Sequence, residues 1–482
     1  MRVLLVYSNQ ARDLLPAPPI GLSYVAGATR REGHDVRVLD LLKSRRPPDD
    51  LREAVRAFAP AVVGFSVRNI DNVIRQRPVW HLGDVAGMLA AVRRESRAPI
   101  VLGGPAVSIL GAAALTHLDA DFAVVGEGEE TFPRLLAAID GAQRYEDIAG
   151  LCYRRDGTVR CTPPVLLERF GASGMQAWID WPAYERVGGT WTVQTKRGCP
   201  LTCTYCAYPA IEGRLCRRRS AEEVVDEIER VKVRVGPRTF EIVDSTFNVP
   251  PEHAEAICRE IIRRGLKINL TAMGVNPLGV SETLFALMRG AGFNSMMITP
   301  EAASDVMLRR LRKGFTVERV CETARLARES GIASAWFFLL GGPGETRETV
   351  EETVSFVERH LNARHCVSIF MTGIRVLPGT DLARQAVGEG HLPTEPELAK
   401  PAFYFSPHVD EAWVLARINR AITRCPGIVH AAEEGHSTYE RLVDRALCTL
   451  GVAPPYWRFL PILLRVPPVP ALRRRYPLTA AR

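Results

Sequence analysis

Short apolar runs separated by amphipathic stretches recur along most of the chain. Val3, Leu4, Leu5, Val6 and Tyr7 form an unbroken apolar run near the start, as a strand buried on both faces requires. Helical spacing follows at 22–31, and further strand-like runs fall at 36–39, 61–66, 100–102 and 122–125. This strand–helix alternation over residues 1–145 predicts an α/β, doubly wound parallel sheet with helices on both faces, whose ligands bind at the carboxyl ends of the strands. Those ends carry Ser66-Val67-Arg68-Asn69, Gly103-Gly104-Pro105 and Gly126-Glu127-Gly128-Glu129. Residues 146–189 carry little regular pattern and read as a linker. A second series starts at Trp191, with strands expected at 191–197, 239–244, 268–273, 295–299, 335–340 and 366–372 and helices between them, such as 221–235 and 251–264. Six strands so spaced predict a partial or full parallel barrel over 190–390, with its site at the strand C-termini. Beyond Gly390 the alternation stops, and 391–482 reads as a mostly helical C-terminal region.

Composition changes little in this picture. The 482 residues, 46% of them hydrophobic, suffice for two or three cores. A net charge of +8 suits an anionic cofactor or substrate but is too diffuse for nucleic acid, and part of it sits in Arg473, Arg474 and Arg475. The apolar tail 457–472 is interrupted by Arg465 and by Pro461, Pro467, Pro468 and Pro470, so it is read as packing on the protein's own core rather than contacting a membrane. No export signal is evident at the N-terminus, and the eleven cysteines are assigned to a reducing, cytoplasmic setting in which metal binding outranks disulfides.

Three cysteines stand apart from the rest. Cys199, Cys203 and Cys206 follow the first barrel strand with C-x3-C-x2-C spacing, so one loop can present three thiolates. Three ligands suit a tetranuclear cluster with one open iron better than structural zinc, which takes four. The stretch from Lys196 to Cys206, with Tyr205 before the last cysteine, resembles the signature of the radical S-adenosyl-L-methionine (SAM) superfamily. The resemblance implies a TIM-type (β/α)6 barrel and a [4Fe-4S] cluster on Cys199, Cys203 and Cys206, with SAM on the open iron and Tyr205 beside it. It also implies SAM contacts from Ser245 or Thr246, where the family usually has Gly-Gly-Glu, from Glu301 and Ser304, and from Gly341-Gly342 near the adenine. The other eight cysteines form no second close-spaced set, which argues against the two-cluster members of the superfamily.

The first 145 residues resemble the Rossmann-like cobalamin-binding domain of one large radical SAM subfamily. The match lies at Pro18-Pro19-Ile20-Gly21-Leu22, Gly33-His34-Asp35-Val36, Phe65 to Asn69, Gly103-Gly104-Pro105 and Gly126 to Glu129. It implies corrin contacts from Pro18, Gly21, Ser66, Arg68, Asn69, Gly103, Gly104, Gly126, Glu127 and Gly128. None of the ten histidines has an aspartate two residues before it, so the Asp-x-His loop that ligates cobalt in many cobalamin proteins is absent. Arg68 is the residue expected beneath the corrin, where a protonated guanidinium offers no lone pair to the metal.

These resemblances imply a methyltransferase that passes a methyl group from SAM, through methylcobalamin, to a carbon of a small metabolite or natural-product precursor. An electron donor such as flavodoxin or ferredoxin is expected. Three alternatives stay open. One is a cobalamin-dependent cyclase or rearrangement enzyme. The second is a tryptophan-type C-methyltransferase that makes no adenosyl radical, which the run from Val243 to Ala254 together with Arg68 resembles. The third is a corrinoid or SAM sensor without turnover.

Overall fold

The computed structural model describes residues 1–10, 16–42, 44–392, 398–433 and 438–466. Pro467, Pro468, Pro470 and the three arginines at 473–475 lie outside the described residues. The described residues form two seven-stranded sheets with helices around them.

The first sheet contains β1 (Arg2–Tyr7), β2 (Asp35–Asp40), β3 (Val62–Ser66), β4 (Ile100–Gly103), β5 (Phe122–Val124), β6 (Leu151–Arg155) and β7 (Thr158–Cys161), in the order β2-β1-β3-β4-β5-β6-β7. The first five are parallel. Successive residues of β1 bury on opposite faces: Leu4 and Val6 join one apolar cluster, and Val3, Leu5 and Tyr7 the other. Helices such as Ile20–Arg31 and Gly128–Ile139 on one side, and Pro47–Phe58 and His81–Glu95 on the other, supply the covering layers. The chain reverses direction across the sheet between β1 and β3, so a crevice opens at the tips of those two strands.

Regular structure continues past residue 145. The segment read as a patternless linker contains β6 and β7, an antiparallel hairpin that extends the sheet. Its turn is Asp156-Gly157, both at positive φ (50° and 75°), as a two-residue hairpin turn requires. Cys152 and Cys161 face each other in register and form a disulfide, contrary to the expectation of reduced thiols throughout.

The second sheet contains β8 (Trp191–Val193), β11 (Phe240–Ile242), β12 (Leu270–Val275), β13 (Phe293–Glu301), β14 (Ala333–Leu340), β15 (Cys366–Thr372) and β18 (Ile428–His430), all parallel. Two short pairs complete the strands: β9 (Lys196–Arg197) with β10 (Arg217–Arg218), and β16 (Ile374–Arg375) with β17 (Phe403–Tyr404). The six expected strands are present, and β18 from the supposedly helical C-terminal region adds a seventh. Alternation sorts the side chains. Phe240, Ile242, Met296, Ile298, Trp336, Phe338 and Phe370 pack outward against the helices, whereas Met297, Ala335 and Val367 face inward. Trp457 and Leu460 pack against that inner face, and the Pro454 carbonyl accepts a hydrogen bond from Thr239 just below β11. The described part of the apolar tail thus closes the bottom of the open barrel. No described helix is long and apolar enough to cross a membrane.

Two polar clasps join the sheets. At one, Glu127 pairs with Arg217 (2.7 Å) and Arg197 (3.4 Å), and Glu129 with Arg197 (2.6 Å). At the other, the loop after β3 lies over the far rim of the barrel. There Asp71 meets Arg375 at 2.6 Å, Arg75 meets Glu411, Gln76 binds Thr372, and the Trp80 indole donates to the Ala399 carbonyl. Asp71 and Arg375 are 1% and 4% exposed, so removing one strands a buried charge. Arg375→Ala is expected to cost about 3–5 kcal/mol, read as a lowered midpoint in chemical denaturation.

Candidate active site

The cysteine loop is built from its ends. β9 and β10 pair antiparallel and bracket residues 198–216, so the loop is held at the C-terminal mouth of the barrel. Gly198 sits at φ 89°, and a Cβ there would stand 2.1 Å from the Leu215 carbonyl oxygen, so the chain can pass only as glycine. Cys199 N–H donates to the Gly213 carbonyl, Cys206 N–H to Cys203, Thr204 N–H to Leu311, and Gly198 N–H to the Glu212 carboxylate. Asp244 lies just past β11 and accepts from the backbone of Thr195 and Lys196 and from the Thr195 hydroxyl. Its carboxylate is therefore spent on fixing the approach to the loop.

The three thiols share one electrostatic neighbourhood. Burial raises the Cys199 thiol and pushes Cys206 up to about 11, and the neighbouring thiols push both in the same direction. Left to themselves Cys199 and Cys206 stay protonated; a bound cationic centre would draw the protons off. Among the described residues no three His, Cys, Asp or Glu side chains are arranged to hold a metal ion. The donor set suits a multinuclear centre that takes one thiolate per iron.

Tyr205 donates from its hydroxyl to Glu301 at 2.9 Å, and the buried Lys313 ammonium reaches both that hydroxyl (3.2 Å) and the Glu301 carboxylate (3.6 Å). Glu301 holds φ 69°, a left-handed conformation costly for a non-glycine residue and kept here by its partners. The Ser245 hydroxyl donates to the Gly198 carbonyl. Thr246 and Ser304 are buried with hydroxyls that have no partner among the described residues, two polar atoms left for something else to satisfy. Gly341 and Gly342 are held from behind: Glu345 accepts from the Gly341 N–H, and a Cβ on Gly341 would stand 2.6 Å from the Phe405 ring. Phe405, rather than open space, is therefore the neighbour of that turn.

Burial pushes the Glu345 carboxyl up to about 7. The folded state therefore holds a proton that the unfolded chain releases near 4.5, and stability falls as pH rises between those values. Melting temperature is expected to decline from pH 5 to 7 in the native chain, with a clearly shallower decline in Glu345→Gln.

Across from the cysteine loop, the tips of β1, β3 and β4 are tied together. Ser8 donates from its N–H and hydroxyl to the Ser66 carbonyl, Val67 N–H donates to Gly103, and Gly104 backs onto the Val67 backbone. Arg68 and Asn69 follow directly. Arg68 is exposed and makes no hydrogen bond or ion pair among the described residues. Its charge nevertheless acts on Tyr7 of the first sheet and on Tyr208 and Glu241 of the barrel, so the guanidinium stands between the two domains. Pro18 is buried and Gly21 exposed at the start of the first helix, and Gly103 has open space beside it. Gly126 N–H donates to Ser108, and Gly128 packs on Val25. The Glu127 carboxylate is engaged by Arg197 and Arg217, so its side chain docks the domains rather than facing the crevice. Sequence reasoning did not single out Lys313 as a site residue or Glu212 at all. Glu212 carries no local signal.

A three-thiol loop at a barrel mouth, opposed by an open α/β crevice, is thus the arrangement to be matched. Residues 193–357 match the Radical SAM superfamily and residues 12–136 the B12 binding domain. An uncharacterized methyltransferase of Pyrococcus horikoshii is 29% identical over 71% of this chain and 73% of its own length. The tryptophan 2-C-methyltransferase of Streptomyces laurentii is 28% identical over 79% and 74%. Among solved structures, the radical SAM methyltransferase TsrM from Kitasatospora setae, with cobalamin and a [4Fe-4S] cluster bound, superposes with a TM-score of 0.82 at 25% identity, covering 96% of this chain and 98% of that one. The chain thus combines a B12-binding domain with a radical SAM domain, and the relatives it is similar to are chiefly methyltransferases.

Proposed function

We propose that the protein is a methyltransferase that moves a methyl group from SAM, by way of cobalamin, to a carbon centre of a small metabolite or natural-product precursor. The observation that carries this reading is the contact between the two domains at this point: the helix Pro105–Leu110, at the tip of β4, packs on the helix Tyr208–Glu212, which starts two residues past Cys206. A corrin on the first domain and a cluster on the second would face one shared space. When bound, these groups supply redox and methyl-carrying chemistry, while the protein supplies position and exclusion of water.

In this reading Cys199, Cys203 and Cys206 hold three irons and leave the fourth for SAM. Ser245, Thr246, Glu301 and Ser304 line the SAM side, and the unpartnered hydroxyls of Thr246 and Ser304 fit that task. Tyr205, fixed by Glu301 and Lys313, packs beside the cluster. Ser66, Asn69, Gly103, Gly104 and the Gly126–Gly128 backbone edge the corrin, together with Pro18 and Gly21. Arg68 lies under it and keeps protein nitrogen lone pairs away from the metal. Flavodoxin or ferredoxin would deliver the electrons, which suits the reducing cytoplasm.

The test is anaerobic reconstitution with iron, sulfide and cobalamin, followed by incubation with SAM, reductant and candidate substrates. Formation of S-adenosylhomocysteine with 5′-deoxyadenosine and a methylated product is the expected result. S-adenosylhomocysteine with methylated product but no deoxyadenosine would place the protein with the tryptophan-type enzymes. Deoxyadenosine without methyl transfer would overturn the proposal in favour of cyclase-like chemistry.

A further inference from the structure

The outer turn of the cysteine loop has a charged surround that none of the roles above uses. Pro200 and Thr202 are exposed there, and Arg214, also exposed, donates to the Leu201 carbonyl between them at 3.2 Å. Thr204, the residue after Cys203, is held on two sides: its N–H donates to the Leu311 carbonyl, and its carbonyl accepts from the Leu382 N–H. Those two anchors bring arginines with them. Arg309 and Arg310 end the helix Asp305–Arg310 just before Leu311, and both are exposed. Arg312 follows Leu311 with its side chain 57% exposed, and Arg384, on the helix Asp381–Gly388, has its side chain 64% exposed.

The acids on these elements do not cancel that charge. Asp381 is shared between Arg312 and Arg384, Asp305 accepts from the Val317 N–H, and Glu212 is engaged by Gly198 and Gln194. Five exposed arginines therefore stand against two carboxylates at the surface, Asp305 and Asp381. Leu215, 72% exposed, adds an apolar contact beside Arg214. Arginines around an exposed apolar side chain suit a protein surface better than a bare phosphate backbone, and their charge selects an acidic partner. Position narrows the partner further. Tyr205 is tied inward to Glu301 and Lys313, and the helix Tyr208–Glu212 is covered by the first domain's helix Pro105–Leu110. The turn at 200–202 is left as the open side of the loop.

Resting on the methyltransferase reading, we propose that this rim docks an acidic one-electron carrier protein: Arg214, Arg312 and Arg384 seat the carboxylates around its redox group, which then lies against the outer turn of the cysteine loop. One electron leaves the carrier, oxidising it by one, and enters the iron–sulfur centre, reducing it by one; no bond is made or broken. The arginines touch neither substrate nor cofactor. They act by holding the carrier in register with the loop.

A purified acidic bacterial flavodoxin is the probe, and its affinity for the full chain is read by isothermal titration calorimetry at low and high salt. Arg214→Glu and the double variant Arg312→Glu/Arg384→Glu are each expected to weaken binding at least about 10-fold, as is raising the salt to about 0.5 M. Arg94→Glu, on the first domain's helix His81–Glu95, should change it less than about twofold. In the chain loaded with its cluster, reduction by flavodoxin should slow in step with binding, while reduction by the methyl viologen radical, a small cation, should not slow. No binding to the native chain, binding indifferent to salt or to the reversals, or an equal loss in Arg94→Glu would each overturn the docking rim. So would equal slowing with methyl viologen, or an oligonucleotide bound more tightly than flavodoxin. Should the double variant fail to fold, as judged by its melting curve, Arg214→Glu decides alone. Binding requires neither cluster nor methyl transfer. A chain that binds flavodoxin at this rim but makes no methylated product therefore refutes the activity alone, and a methylating chain whose binding ignores the reversals refutes the rim alone.

Discussion

Cys203→Ala is expected to yield a folded protein that takes up no stable cluster and whose methyl transfer falls to background. Cys203 is partly exposed and makes no packing contribution comparable to the core, so its loss leaves the fold intact. The neighbouring geometry also survives, because Cys206 N–H bonds to the Cys203 backbone carbonyl and not to its sulfur. Function is a different matter. Two thiolates cannot hold three corners of a tetranuclear centre, and with the centre goes the open iron proposed for SAM. Iron and sulfide content, visible absorbance and product formation should fall together, with circular dichroism unchanged. Full turnover in this variant would sink the proposed function altogether.

Arg68→His is expected to change the cofactor before it changes the fold. The native guanidinium has only N–H groups to offer, and none is committed to a partner among the described residues. Histidine would bring a nitrogen lone pair to the same crevice. Electron paramagnetic resonance of bound cob(II)alamin should then gain a nitrogen splitting that the native protein lacks, and methyl transfer should fall roughly 10–100-fold. Arg68→Lys, which keeps the charge and still offers no lone pair, should show no such splitting. A nitrogen ligand already visible in the native protein would refute the placement of Arg68 beneath the corrin.

The parts of this molecule that were legible in the sequence are those whose cause is local. Short apolar runs located the five parallel strands of the first sheet and six of the barrel strands; β1, covered on both faces, is apolar throughout after Arg2. The thiol spacing located the cysteine loop, because three ligands on one loop have to be close in the chain. The hairpin at 151–161 carries one local signal, its Asp156-Gly157 turn, and too few apolar residues beside it to read as strands. Ile428–His430 is three residues long and joins β15 across nearly sixty residues of chain, so nothing nearby announces it. The clasps are harder still. Nothing local to Glu127 indicates that it will meet Arg217, or that Asp71 will meet Arg375 304 residues later. Glu127 was accordingly read as facing a corrin when its carboxylate is held by arginines of the barrel.

The loop that begins with Arg68 ends with Trp80, and between them it is fastened to the barrel rim through Asp71, Arg75 and Gln76. The residue that would look up at the corrin is therefore supplied by one domain but aimed by the other. A bulky macrocycle could hardly pass between the halves once those fastenings and the Glu127–Arg217 pair on the opposite side have formed. A corrin held between the domains would then exchange only as fast as those contacts part. Slow cobalamin exchange in the native chain, and faster exchange in Arg375→Ala, would be the kinetic trace of that parting.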